Sequence, residues 1–371
     1  MNLDHAVLKN EPGIKTDRIR RLLDQHGLDA LLLRRVSSFA WATCGADSHI
    51  NTAAAEGNAS LLITPEGRYL LTNNIEASRL EKEEKLVEQG WEFRVSPWYA
   101  EKDHLAELAR GMKLGVDGNL PGAIDLSSEL ALLRSQLTAE EIQRFRTLAN
   151  LCAEGMRQTI DAARPGMTEY QLAGVLSQAV ESQGVQAIVN LIATDERVFA
   201  YRHPLPTSKS LQRYAMLILC GRKWGLICSI TRLVHFGPLP ADLRRKAEAV
   251  AQVDAAMIAA TRPGCTMGEV FHRAQEAYAA TGFPDEWQLH HQGGVAGYEP
   301  REVTAKPTST QPILAGQAYA WNPSIAGTKS EDTVLVDEGA NEVLTHMSDW
   351  PTIGVQIGGQ MIKRPAILEK E

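Results

Sequence analysis

Short hydrophobic runs separated by polar turns fill the first third of the chain and predict small strands among helices. Residues 29–33 form an apolar run typical of a buried strand. Two further runs, 60–64 and 68–72, are separated by Pro65-Glu-Gly67, whose turn chemistry predicts a hairpin. Helical stretches lie between such runs, and this alternation indicates an α/β domain, which we place at residues 1–135.

A long amphipathic helix follows, and its ending is repeated later in the chain. Apolar residues recur at spacings of three and four from Ile142 to Ile160, after a capping-box pattern of Thr138 and Glu141. Arg164-Pro-Gly-Met-Thr168 recurs as Arg262-Pro-Gly-Cys-Thr266, and each threonine begins a further capping-box pattern. The repeat predicts two similar halves within residues 136–371, with a site where their loops converge.

Two strongly apolar runs, 216–220 and 226–231, are separated by Gly221-Arg-Lys-Trp-Gly225 and predict a β-hairpin. With the turn centred near Trp224, Leu219 should face Ser229 and Cys220 should face Cys228.

The segment from Cys220 to Arg232 resembles the metal-binding hairpin of the pita-bread superfamily, which includes creatinase, aminopeptidase P, prolidase and methionine aminopeptidase. The resemblance covers nearly the whole chain and implies an α+β architecture. It consists of a creatinase-type N-terminal α/β domain at residues 1–135 and a duplicated pita-bread domain at residues 136–371. In metal-dependent members, aspartates stand where this chain has Leu219 and Ser229.

The same resemblance implies four further site positions. Residues 200–206 resemble a segment with an acid/base or substrate-contacting histidine, here His203. Residues 289–297 resemble a His-x-x-Gly segment that supplies a metal ligand, with His291 as the best match and His290 as the alternative. Asn322 stands where the family has a ligand glutamate before proline, and Glu331 keeps the last ligand carboxylate.

Of the five ligand positions, His291 and Glu331 are thus kept and three are replaced. Hard divalent ions require several anionic oxygens, so we predict no bound metal and no cofactor, with a single weakly held ion as an alternative. Cys220 and Cys228 could instead help to form a zinc site. Strand alternation opposes this, because it places Cys228 on the face opposite Ser229.

The resemblance therefore implies a metal-independent hydrolase that cleaves a C–N bond in a small polar substrate. His203 would carry the proton near neutral pH, with His291 as its partner and Glu331 orienting an imidazole or a substrate cation. Ser229 and Asn322 would donate hydrogen bonds to the developing oxyanion. The other predicted substrate-binding residues are Leu219, His290, Arg232 and Arg301.

Three other functions stay open at this point. The chain could be a non-catalytic pseudo-peptidase that binds a ligand, a lyase that uses the same base, or a metal-dependent Xaa-Pro peptidase. The loss of three ligand positions argues against the last of these.

Composition restricts the expected partners. The formal net charge of −7 provides no basic footprint for nucleic acid, and no apolar run approaches the roughly 18 residues of a membrane span. The five cysteines are scattered and odd in number, as in reduced cytoplasmic proteins. We expect a cytoplasmic enzyme with a small-molecule substrate and no nucleic-acid or membrane partner, and by family analogy a homodimer.

Overall fold

The computed structural model describes residues 11–100 and 102–371. The chain divides into two compact units, one running to Glu141 with the short piece Trp224–Leu226, the other comprising Ile142–Lys223 and Ile227–Glu371. Within the described ranges, every helix is too short or too polar to cross a lipid bilayer.

The N-terminal unit contains a six-stranded mixed sheet with short helices. Its elements are α1 (Glu11–His26), β1 (Ala30–Arg35), α2 (Val36–Ala42), β2 (Glu56–Ile63), β3 (Arg68–Asn73), α3 (Ala77–Lys82), β4 (Glu92–Ser96), α4 (His104–Leu108), β5 (Leu114–Val116), β6 (Ile124–Asp125) and α5 (Ser127–Ser135). The strand order is β4-β3-β2-β1-β5-β6. The predicted hairpin is present as β2 and β3, with Leu61 opposite Leu70, and both side chains are fully buried.

The second unit contains two larger sheets and four long helices. Its elements are α6 (Ala139–Ala162, which starts at the unit boundary), α7 (Glu169–Glu181), β7 (Gln186–Thr194), α8 (Glu196–Ala200), β8 (Tyr214–Lys223), β9 (Leu226–Phe236), α9 (Ala241–Ala260), α10 (Met267–Ala280), a 3₁₀ turn (Glu286–Leu289), β10 (Gly293–Ala296), β11 (Val303–Thr304), β12 (Ala318–Trp321), β13 (Ser324–Ile325), β14 (Thr328–Lys329), β15 (Asp332–Leu335), β16 (Glu342–Val343), β17 (Thr352–Ile357), β18 (Gln360–Pro365) and β19 (Leu368–Lys370). The sheets have the orders β19-β9-β8-β7 and β11-β10-β12-β15-β16.

The sequence repeat corresponds to two structurally similar halves. Thr168 and Thr266 each close a complete capping box at the start of α7 and α10, which satisfies helix N–H groups in the same way twice. Each also forms an isolated antiparallel bridge to a later segment, at Ser210 and at Pro312. Each half therefore presents one long helix pair and one sheet.

The core of the second half explains why its strands are held in place. Met257 of α9 and Tyr278 of α10 pack in one buried cluster with Tyr319 of β12 and Val334 of β15. Burying apolar side chains of this size contributes on the order of 1.5–3 kcal/mol each. The strands that carry the site residues described below are thereby fixed against two helices.

Candidate active site

Three imidazole rings come together in the second unit. Nε2 of His203 lies 3.1 Å from Nε2 of His290, and the rings of His290 and His291 are 4.5 Å apart. Ring nitrogens of all three histidines lie within 4.8 Å of one another. The structure thus brings His203 and His291 together and adds His290, which is the buried member while the other two are exposed.

The backbone around His290 is held by residues that the sequence did not single out. Gln292 donates from Nε2 to the His290 carbonyl at 2.5 Å and accepts from the Tyr278 hydroxyl at 2.9 Å. Gly293 follows at a φ of +103°, and a Cβ there would lie 2.1 Å from the Ala320 carbonyl oxygen. Only glycine fits this close approach, which lets the backbone after His290 pack directly on β12.

Glu331 is buried at the end of the loop before β15 and is held by two cations and a hydroxyl. Lys329 Nζ lies 2.8 Å from its Oε2, and Arg301 Nη2 donates to its Oε1 at 3.0 Å. Thr231 of β9 donates to Oε2 at 2.5 Å. Lys329, which sequence reasoning passed over, therefore belongs to the site, and we call Arg301, Lys329 and Glu331 the charged triad.

The hairpin of β8 and β9 corrects the prediction for Leu219. Trp224 and Gly225 have φ values of +52° and +74° and form the turn, as in a two-residue hairpin loop. Cys220 Sγ then lies 3.3 Å from Ser229 Oγ. Because successive side chains point to opposite faces, Leu219 points away from Ser229, and Cys220 takes the predicted site position.

Ser229 and Asn322 are both buried beside these groups. Ser229 Oγ accepts from Arg301 Nη1 at 3.1 Å, so it already serves as a partner of the charged triad. The main-chain N–H of Asn322 donates to the Gln292 carbonyl at 3.1 Å. Its side-chain Oδ1 is buried, and in the described part of the chain nothing donates to it. An orphaned buried acceptor of this kind costs free energy unless a ligand satisfies it.

Arg232, predicted to contact a substrate, pairs with protein groups of the interior. Its guanidinium donates to Asp332 Oδ1 at 2.8 Å and to the Thr345 carbonyl at 2.9 Å, and only 2 % of the residue is exposed. Both partners are protein groups of the buried interior. Arg232 therefore ties β9 to β15 of the other large sheet and to the segment that follows β16.

The electrostatics of the site keep the three imidazoles neutral. Burial, reinforced by the positive charge of Lys329, lowers the pKa of His203 below its ordinary value and lowers that of His290 to about 2. Burial and the Arg301 guanidinium lower the pKa of His291 to about 4. The pKa of Glu331 falls to about 2, because Lys329 and Arg301 outweigh the opposing effect of burial. The expected titration of His203 in the neutral range is therefore moved to lower pH.

The residues at the five expected ligand positions do not fit a pair of metal ions. Burial raises the pKa of the Cys220 thiol to about 11, so it stays protonated, and Ser229 and Asn322 carry no charge. Both oxygens of Glu331 are already engaged by the triad and Thr231. Hard divalent ions bind where several anionic oxygens are available, and the one carboxylate at these positions is already engaged.

The three histidines are a separate candidate for a single ion, since zinc is held by three imidazoles in some enzymes. The charges around them oppose it. Burial is the main cause of the lowered pKa of each ring, and Lys329 adds to it at all three by disfavouring positive charge there. A divalent cation at the same place would meet the same field with twice the charge.

Comparison with known families accounts for almost the whole chain. The profile described as Metallopeptidase family M24 matches residues 143–338, and the profile described as Creatinase/Prolidase N-terminal domain matches residues 15–151. Among solved structures, a Xaa-Pro dipeptidase from Bacillus anthracis superposes with a TM-score of 0.79 at 19 % identity, covering 97 % of this chain and 100 % of its own. The predicted pita-bread fold with a creatinase-type N-terminal domain is confirmed.

Two curated relatives differ in their described activity. An uncharacterized peptidase of Staphylococcus aureus (strain MW2) is 26 % identical over 263 residues, which is 66 % of this chain and 72 % of the relative. An agropine synthesis cyclase of Rhizobium rhizogenes is 26 % identical over 308 residues, which is 69 % of this chain and 75 % of that protein. The fold therefore carries more than one chemistry among the proteins that this chain resembles.

Proposed function

Because the chain belongs to metallopeptidase family M24, as a hydrolase or a related enzyme of that family, we propose that it acts without a metal ion on a C–N or similar acyl bond of a small polar substrate. The observation that carries this proposal is the charged triad. Lys329 and Arg301 neutralise Glu331, which retains the carboxylate at one of the family's metal-ligand positions. Histidine acid–base chemistry then remains as the source of catalysis.

His203 is the proposed general base, and His290 is its partner in place of His291. In the neutral pair only one of the facing Nε2 atoms carries a proton. If His203 Nε2–H donates to His290, then His290 Nδ1–H points toward Ser324 Oγ, which lies 3.5 Å away. His203 Nδ1 is left as the free acceptor. When it takes a proton, the neutral His290 still accepts from Nε2 and stabilises the imidazolium.

A ring-closing reaction is the second candidate, and the relative named as a cyclase favours it. Ring closure takes its nucleophile from the substrate, whereas hydrolysis takes it from water; both require a base such as His203. Mass spectrometry of products from a panel of amides, amidines and their hydroxy-acyl analogues separates the two reactions. Hydrolysis adds one water to the substrate, and ring closure adds none.

We predict that the protein purified without chelators carries far less than one transition metal per chain, and that its activity survives chelator treatment. The reason is the positive field at the histidines and the missing carboxylates. Elemental analysis by plasma mass spectrometry checks this. One zinc per chain that disappears in His290→Ala would show instead that the three histidines hold an ion.

We also predict that kcat/KM stays constant through neutral pH and falls only on the acid side. The pKa of His203 is lowered by burial and by Lys329, so the free base persists below the ordinary value of about 6.5. Activity should be lost as the pH falls through the lowered pKa, and a pH–rate profile measures this.

Lys329→Met tests the cause of that shift. Removing the ammonium should move the acid limb of the remaining activity upward, toward the ordinary histidine value. Lys306→Met, which removes an exposed lysine, is the matched control and should leave the limb in place. An unchanged limb in Lys329→Met would mean that the titrating group is not His203.

A further inference from the structure

We propose that Lys329 is the electrophile of this site, binding the anionic oxygen of an acyl substrate where the family places its metal ions, and that Arg301 positions it. This inference rests on the proposed function and deepens it. It predicts that the preferred substrates or products carry a carboxylate.

The first support is the position of the cations. Ser229 and Glu331 stand at two of the family's metal-ligand positions, and one guanidinium joins them. Arg301 donates to Ser229 Oγ at 3.1 Å and to Glu331 Oε1 at 3.0 Å. Lys329 Nζ lies 2.8 Å from Glu331 Oε2. Positive charge is therefore fixed at the place where the ligand set converges.

The second support is the charge balance. Two cations and one carboxylate leave a net charge of +1 in the triad, and the neighbouring imidazoles are neutral. A buried excess charge is costly unless an opposite charge pairs with it. The site is therefore suited to an anion, in contrast to a carboxylate cluster that holds metal cations.

The third support is the availability of donors. Arg301 Nη1 donates to Ser229 Oγ and, at 2.6 Å, to the Pro300 carbonyl, and its Nη2 donates to Glu331. Its Nε is buried and has no partner among the described residues. An ammonium has three donors. Among the residues that the structure describes, Glu331 is the one partner of the Lys329 ammonium, and it occupies one of the three donors. Lys329 therefore retains donors for an incoming oxygen.

Lys329 also lies close to the groups that would complete the reaction. It pairs with Ser324 across β13 and β14, and Ser324 Oγ lies 3.5 Å from His290 Nδ1. Asn322, two residues before Ser324, has the orphaned side-chain oxygen described above. A substrate with an N–H group and an anionic oxygen would satisfy both Asn322 and Lys329.

For hydrolysis, the steps balance without any further reactant. Water attacks the acyl carbon as His203 Nδ1 takes its proton, and the carbonyl electron pair moves to oxygen, beside the Lys329 ammonium. The oxyanion then collapses, the C–N bond breaks, and the leaving nitrogen takes the proton from His203. The acid product gives its remaining proton to the released amine and becomes a carboxylate, which Lys329 also binds. Fixed donors at such an oxyanion stabilise the transition state strongly.

Acetate and ethylammonium, two probes of similar size and opposite charge, test the inference by binding alone. Both are titrated into the full-length protein while the histidine ring signals are followed by NMR. We expect acetate to perturb the rings and ethylammonium to leave them unchanged. Lys329→Met should weaken acetate binding by at least about tenfold, the scale of a hydrogen bond to a charged group, and Lys329→Arg should retain it.

Glu331→Gln is the most decisive variant, because we expect a substitution within the site to increase the affinity for acetate. Removing this negative charge should strengthen acetate binding, whereas a metal-ligand role for Glu331 predicts no gain. Circular dichroism of each variant controls for folding, and Lys329→Arg keeps the buried charge if Lys329→Met unfolds. Equal acetate binding in wild type, Lys329→Met and Lys329→Arg, or weaker binding in Glu331→Gln, would overturn the inference.

The two proposals fail in different ways. Acetate binding that depends on Lys329, together with no turnover of any acyl substrate, supports the anion-binding site at Lys329 and rejects the proposed enzyme. Turnover that is unaffected by Lys329→Met supports the enzyme and rejects Lys329 as its electrophile.

Discussion

His203→Ala is expected to lower kcat/KM by about a hundredfold or more, the usual scale for loss of a general base. The side chain is exposed, and His290, its hydrogen-bond partner, stays buried in its own contacts with Ser324. The melting temperature should therefore change little. Steady-state kinetics and thermal unfolding of the same preparation measure both quantities.

His272→Ala is the matched control for this change. His272 is an exposed histidine of α10 that contacts Gln275, and its loss should affect neither rate nor stability. A non-catalytic binding protein would show no turnover in any of the three proteins. Equal rates in wild type and His203→Ala would remove His203 from the mechanism.

Arg364→Met is expected to cost about 3–5 kcal/mol of unfolding free energy, the range for removing one partner of a buried ion pair. Arg364 is only 1 % exposed. It donates to Asp254 Oδ2 and to Asp332 Oδ2, each at 2.7 Å. Without it, two buried carboxylates lose a cation, and one of them adjoins Glu331. Urea unfolding followed by circular dichroism measures the loss.

Arg146→Met provides the comparison for that measurement. Arg146 also forms a two-pronged ion pair, with Glu342, but 37 % of its side chain is exposed. Pairs that face water contribute about 1 kcal/mol or less. The double variant Arg364→Met/Asp254→Asn should recover part of the lost stability. Equal losses in Arg364→Met and Arg146→Met would contradict a buried network that stabilises the fold.

Periodicity and capping chemistry predicted the architecture well because these signals are local. The Thr168 and Thr266 boxes, the stripe on α6 and the β2–β3 hairpin all depend on residues a few positions apart. The hairpin register was less readable. A two-residue turn requires Trp224 to adopt a positive φ, which is uncommon for a bulky residue. The predicted pairing was displaced by one residue, and such a shift reverses the side chains of one strand relative to those of the other.

Distinguishing the arginines also lay beyond sequence reasoning. Arg232 and Arg301 each follow a recognisable segment, yet one contacts Asp332 and the other contacts Glu331. Their partners are distant in sequence, so only the packed structure assigns them. Lys329 differs, because its partner Glu331 is only two residues away, and the sequence alone does not show that the two side chains meet.

The charged triad also bears on how such a site could evolve back toward metal binding. Losing Lys329 or Arg301 first would remove one of the two partners of the buried Glu331 carboxylate, and removing one partner of a buried ion pair destabilises proteins by about 3–5 kcal/mol. Gaining an acid at Ser229 first would instead give Arg301 a stronger partner and hold it more firmly. Each single substitution thus either weakens the fold or strengthens the present arrangement, and reversal requires coordinated replacements. We expect lineages that acquired this triad to keep it and to diversify in the substrates they accept.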